Sequence, residues 1–156
     1  MTSELMMEGS NTVSSIVSLI IWVLTIIAEW KIFTKAGEKG WKAIIPIYSG
    51  YILFKIVWKT KWFWLGLVGA VVFSILYSAA LGLMIASSTV AGVILMIISI
   101  ILLIALIVLG IKLYVNLSKA YGHGAGFAVG LIFLNVIFIL ILGFGSSQYV
   151  GNPDNK

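Results

Sequence analysis

Residues 30–61 read WKIFTKAGEKGWKAIIPIYSGYILFKIVWKTK, and they are neither a membrane span nor an ordinary loop. They hold seven of the chain's ten lysines: Lys31, Lys35, Lys39, Lys42, Lys55, Lys59 and Lys61. Extended to Trp64, the stretch also holds five of the six tryptophans. Lysine and tryptophan collect at the polar boundary of a bilayer. Trp41, Lys42, Lys55, Trp58, Lys59, Lys61, Trp62 and Trp64 therefore read as an interfacial belt. The apolar part, residues 43–57, is 15 residues long and carries Pro46, Ser49 and Gly50. That is short for a span. The pattern predicts an amphipathic segment over 41–61 that lies on the membrane or dips in and returns, with a short helix near 51–58. Lys55 and Lys59, four apart, share one face of it.

Everything around this belt is apolar. The 156-residue chain is 62% hydrophobic and 10% charged, with a mean hydropathy of +1.17. Soluble domains carry about a quarter charged residues. So apolar a chain cannot clothe a water-facing surface, and it reads as an all-α integral membrane protein with a single membrane domain. It has no cysteine, which excludes disulfides, thiol chemistry and thiolate metal sites. The net charge of +5 comes entirely from lysine. No basic run is free of hydrophobic residues, so the expected partner is the anionic lipid of the cytoplasmic leaflet rather than nucleic acid.

Outward from the belt, hydropathy predicts four transmembrane helices, over 13–33, 62–86, 90–114 and 127–144, with polar tails at 1–12 and 145–156. The first is 21 residues, about 31 Å of helix, enough to cross the hydrocarbon core. Its leader carries Glu4 and Glu8, and its apolar run ends in Glu29-Trp30-Lys31, so it reads as a retained span rather than a signal peptide. Residues 87–89 read as a tight uncharged turn. The first and third connections carry lysines and the second carries none. The positive-inside rule then expects both termini outside and the lysine-bearing connections in the cytoplasm of a multi-pass cell-membrane protein. Lys35-Ala36 with Gly40-Trp41 shortly after, and Lys119-Ala120 with Gly126-Phe127 shortly after, suggest a parallel 2+2 repeat.

The second span carries a further pattern. Gly66, Ala70, Ser74, Ser78, Gly82 and Ala86 recur at every fourth position, the spacing at which small residues let helix backbones approach. Such a row drifts by about 40° per step, so it serves one partner or different partners at its two ends. Few residues could carry chemistry. Glu29 is the one acidic residue inside a predicted span, and Lys112 sits at similar depth in the third. Intramembrane charges need partners, so the two are expected to pair or to share a polar cytoplasmic pocket. Asn135, the one amide in the fourth span, is expected to bond to a neighbouring helix. His123 stands alone in a glycine-rich loop and suggests no metal. No catalytic constellation and no cofactor site is expected.

The order Lys-Ala-Gly, Gly-Trp, Ile-Pro-Ile-Tyr and Lys–Trp–aromatic over residues 35–64 resembles a family of small bacterial membrane proteins of unknown function. Lys119-Ala120-Tyr121-Gly122, Gly126-Phe127 and Gly143-Phe144-Gly145 are similar to the family's close. The same module resembles the membrane segment preceding the protease in some bacterial type I signal peptidases. Ser49 stands where the family usually has asparagine, and Asn135 where it often has proline. The peptidase's serine-methionine motif and following catalytic lysine do not occur. The expected role is a non-enzymatic adaptor subunit or homo-oligomer acting by helix packing. The alternatives are a small transporter or channel with Glu29 as its coupling carboxylate, and an immunity-type protein against a membrane-active peptide.

Overall fold

The computed structural model describes residues 2–86 and 89–155, with side chains described from Thr12 onward; Ser87 and Ser88 of the expected turn, and Lys156, lie outside the described residues. It is all helical: α1 (Thr2–Lys35), α2 (Pro46–Val57), α3 (Thr60–Ile85), α4 (Thr89–Ala120), α5 (Ala125–Phe133) and α6 (Asn135–Phe144), with a 3₁₀ turn at Gly40–Ile44 before α2 and another at Pro153–Asn155. Three of these helices are long and apolar enough to cross a membrane: Thr12–Lys35 of α1, α3 and α4.

Local chemistry sets the helix ends. Gly37, at φ 79°, closes α1, with the Glu38 N–H donating to the Phe33 carbonyl at 2.9 Å. Gly122, at φ 75°, closes α4 in the same way, with the His123 N–H donating to Ser118 at 2.9 Å. Both are glycine caps in the left-handed region, which glycine enters at no steric cost. The two Lys-Ala-glycine connections thus share a cap, but the segments beyond the caps differ: a 3₁₀ turn and one helix after α1, two short helices after α4. Pro46 opens α2 at its first turn, where its missing N–H costs nothing.

The expected belt helix is present and longer than expected, at Pro46–Val57 rather than 51–58. Most other helix ends also lie outside the expected bounds, α3 at Thr60–Ile85 ending one residue short of its own. α1 begins at Thr2, within the expected polar tail, and α4 runs six residues past 114. The extra turns of α4 carry Leu117, Ala120 and the following Tyr121, all buried, so tertiary packing prolongs the helix.

The fourth expected span is corrected. Residues 127–144 do not form one helix: the backbone breaks at Leu134 (φ −120°, ψ 46°), leaving arms of nine and ten residues. The Phe127 and Phe138 ring centroids lie 5.0 Å apart. Eleven residues of straight helix would separate their backbones by about 16 Å, so the arms are sharply bent. Both ends of this hairpin lie at one end of the molecule. The Tyr121 hydroxyl, before α5, donates to the Ile32 carbonyl at 2.6 Å. The Lys35 ammonium donates to the carbonyls of Leu142 and Gly145, at the end of α6, at 2.6 and 2.8 Å. The carboxyl-terminal tail consequently lies beside the lysine-rich connection, not across the molecule from it.

The core gathers at this same end. Ala28, Ile32 and Phe33 of α1, Ile52, Phe54, Ile56 and Val57 of α2, Phe63 of α3, Leu113 and Leu117 of α4, Leu131 of α5 and Leu142 of α6 form one buried cluster. Farther from it the helices are bare. From Val13 to Leu24, α1 exposes large apolar residues on every face. α3 and α4 pack only on each other there, through Gly69 against Leu106, and through Ala80 against Gly92, where a Cβ would lie 3.0 Å from the Ala80 carbonyl oxygen.

Candidate functional site

Glu29 and Ser49 meet where α1 passes the start of α2. Pro46 starts α2 so that Ser49, one turn in, faces α1. Its hydroxyl donates to Oε2 of Glu29 at 2.8 Å. Thr25, one turn before Glu29 on the same face of α1, donates its own hydroxyl to the Ile21 carbonyl at 2.8 Å. These residues line a cleft of about 220 Å³ walled by Trp22, Ile26, Ala43, Ile44 and Pro46. Asn135 donates to the Leu131 carbonyl at 3.1 Å, capping the break between α5 and α6. Its side-chain bond thus holds its own hairpin together.

Lys112 is not part of this cluster, and the expected pairing with Glu29 is corrected. Lys112 is exposed and lines a different groove, between α3 and α4, with Trp58 and Trp62. Among the described residues, the ion pairs are Lys42–Glu38 at 2.5 Å, Lys55–Glu38 at 2.7 Å and Lys59–Asp154 at 3.2 Å. The reason is rotational. Glu29 faces α2, while the lower end of α4 turns Leu113 and Leu117 inward and leaves Lys112 on its outer face.

The belt residues are held by one another. Glu38, just past the α1 cap, accepts from both Lys42 and Lys55 and so ties the 3₁₀ turn to α2. The two lysines hold the Glu38 carboxyl below the usual carboxylate value, and Glu38 in turn holds Lys55 above the usual amine value. Trp58 and Trp62 stack at 4.9 Å, and the Lys61 ammonium sits over Trp62 at 5.5 Å. Trp41 and Trp64 are exposed. The carboxyl-terminal tail straps this assembly. Tyr149 donates to the Ile56 carbonyl at 2.5 Å, Asn152 to Trp58 at 2.8 Å, and the Val150 N–H to Ala120 at 2.7 Å. His123 stacks on Phe127 at 4.0 Å and bonds to Ser147 across 2.8 Å.

The small-residue row splits. Gly66 packs against Leu109 of α4, and Ala70 borders a shallow groove between α3 and α4. Ser74, Ser78, Gly82 and Ala86 are exposed, and a Cβ at Gly82 would meet nothing within 4 Å. Four steps of drift carry Gly82 about 160° around the helix from Gly66, so one α4 cannot contact the whole row. The contact α4 does make uses Gly69, Ala80 and Gly92. Ser49 was not legible as the partner of Glu29. The signal available was that a carboxylate inside a span needs a donor, and Ser49 is the serine within the amphipathic segment.

No curated protein and no solved structure matches this chain. A family model described as "Family of unknown function (DUF5684)" matches residues 41–152. The match takes in α2 to α6 and the strapping tail, with Ser49, Tyr114 and Asn135, and begins after Glu29. With most of its length covered, the chain belongs to the DUF5684 family of unknown function.

Proposed function

We propose that this chain is a non-enzymatic membrane protein that works by packing against other transmembrane helices, as a homo-oligomer or as an accessory subunit of a larger membrane protein. One observation carries this reading: α3 has two small-residue faces, and its intramolecular contact uses only one. Ser74, Ser78 and Gly82 form the second. Their surface is smooth, because the Ser74 hydroxyl donates to Val71 and the Ser78 hydroxyl to Ser74 within their own helix. Helices associate in lipid through close backbone approach at such small residues rather than through burial of apolar area. The bare outer parts of α1 and of the α3–α4 pair leave room for a neighbour on either side.

In this reading the lysine-rich end faces the cytoplasm and its anionic lipid, in keeping with the positive-inside rule. Three spans and a re-entrant α5–α6 hairpin then put the amino terminus outside and the carboxyl-terminal tail inside. The transporter reading has less support. Ser74, Ser78 and Ser99 all donate to carbonyls of their own helices, which leaves no polar path across the bundle. No residue favours the immunity-type reading. The likeness to the signal peptidase membrane module brings no nucleophile or catalytic lysine with it.

The test is the mass of the native complex in mild detergent, with every chain in it identified. Wild type is expected to run as a discrete assembly, and Ser78→Leu or Gly82→Leu to reduce it to the single chain. A wild-type monomer, or an assembly indifferent to both substitutions, rejects the proposal.

A further inference from the structure

The cleft at Glu29 is chemically one-sided. The Ser49 proton is committed to Glu29 and the Thr25 proton to Ile21, so both hydroxyl oxygens face the cleft as acceptors only. Glu29 adds a carboxylate, and no lysine pairs with it among the described ion pairs. Pro46, in the wall, has no N–H to offer. The oxygen atoms of the three polar side chains in the cleft are therefore all available as acceptors, one pair of them on a carboxylate. The remaining wall is apolar, with the Trp22 indole among it. An aromatic face beside a carboxylate is a setting that attracts ammonium groups.

Size and position narrow the ligand. At about 220 Å³ the cleft exceeds the roughly 30 Å³ share of one water several-fold. A bare divalent cation would want about six oxygen ligands, more than three side chains supply. Glu29 lies six residues before Lys35, roughly 9 Å along α1 from the lysine belt. Trp22 and Ile44, at 60% and 53% exposure, leave the mouth open toward the surroundings of the helix.

We propose that the cleft between α1 and the start of α2 binds an organic ammonium group, with Glu29 as counter-charge, Thr25 and Ser49 as neutral acceptors and Trp22 as an aromatic wall. The ammonium comes from an ethanolamine phospholipid headgroup or from a soluble primary amine. The proposal is independent of helix assembly, since the site lies within one chain.

The experiment uses the full chain in detergent and in nanodiscs. In detergent, the melting midpoint is followed against ethanolamine hydrochloride, with sodium chloride at equal ionic strength as control. In nanodiscs of mixed phosphatidylethanolamine and phosphatidylglycerol, lipid retained per chain is counted by native mass spectrometry. A saturable rise with ethanolamine identifies a soluble-amine site. Selective retention of phosphatidylethanolamine without that rise identifies a lipid site. In either case Glu29→Gln is expected to weaken binding by roughly 10- to 100-fold, the range of a lost charge-assisted hydrogen bond. Thr25→Val, nearly isosteric, is expected to weaken it several-fold, and it decides the matter if Glu29→Gln does not fold. Lys112→Gln, outside the cleft, is expected to change nothing. Absence of both responses in wild type, or binding unmoved by Glu29→Gln and Thr25→Val, overturns the proposal.

Discussion

Glu38 shows what a single side chain does in this protein. Its two lysine partners come from the 3₁₀ turn and from α2, so one carboxylate fixes the angle at which the belt leaves α1. Its lowered proton affinity ties that contact to pH. A depressed carboxylate contributes stability that is complete above its ordinary value of 4.5 and is lost as pH falls through the lowered folded value. The raised Lys55 amine gives the opposite flank: its share persists below 10.5 and fades as pH rises through the raised value. Glu38→Gln is expected to cost about 1 kcal/mol at neutral pH. It should also remove most of the acid-side decline in melting midpoint. A midpoint that falls with acid equally in wild type and variant would show that Glu38 is not the group responsible. Tyr121 is a second residue of this kind. Burial pushes its phenol up, and its hydroxyl links the end of α4 to the Ile32 carbonyl of α1. Tyr121→Phe is expected to lower stability by about 1 kcal/mol with the helical content unchanged, as measured by thermal melts followed by circular dichroism.

At the scale of elements, the α5–α6 hairpin departs most from what its hydropathy suggests. Residues 127–144 are long and apolar enough to be read as a span. What divides them is a set of contacts remote in sequence. Gly130 leaves the space that the Phe138 ring occupies, Asn135 caps the break, and Lys35 donates to the carbonyls at the end of α6. Gly143 completes the docking. A Cβ there would lie 2.6 Å from the Ala28 backbone, so only glycine lets α6 lie this close to α1. The chain has no cysteine, which makes an engineered pair unambiguous. Lys31→Cys with Phe144→Cys, at positions whose side chains already meet with the ammonium 4.4 Å from the ring centroid, is expected to be joined in most molecules by a short thiol-reactive cross-linker, read as a mobility shift. A continuous fourth span would carry Phe144 to the far end of the bundle, and no cross-link would form.

At the scale of the whole molecule, charge and core coincide. The described lysines all lie at the end where the hairpin, the belt and the tail meet, and Glu38 and Asp154 pair with three of them there. The rest is three long apolar helices with little between them. A small protein built this way is well packed at one end and exposes apolar helix faces over the other half. Its orientation can be tested with single cysteines and a membrane-impermeant thiol reagent. Ser147→Cys and Thr60→Cys are expected to label from the cytoplasmic side, and Thr89→Cys from the outer side. Labelling of Ser147→Cys and Thr89→Cys from the same side would restore the four-span topology.

The sequence by itself determined the helical class and three long apolar helices, because these depend on quantities local to a segment. Mean hydropathy over twenty residues reports whether a helix tolerates lipid, and lysine with tryptophan reports where lipid ends. Pro46, Gly37 and Gly122 likewise act within a turn of themselves. It also established that Glu29 needs a partner, though not which one. Tertiary structure alone decided that Ser49 supplies that partner, that Lys112 points away, and that the last apolar stretch folds back to the end of the molecule from which it starts. Each of those outcomes turns on helix rotation and on contacts between residues twenty to more than a hundred positions apart. An apolar run of fixed length is equally consistent with crossing the bilayer and with bending inside a protein core. The choice is made by the groups waiting at its ends, here Tyr121 on Ile32 and Lys35 on Leu142 and Gly145.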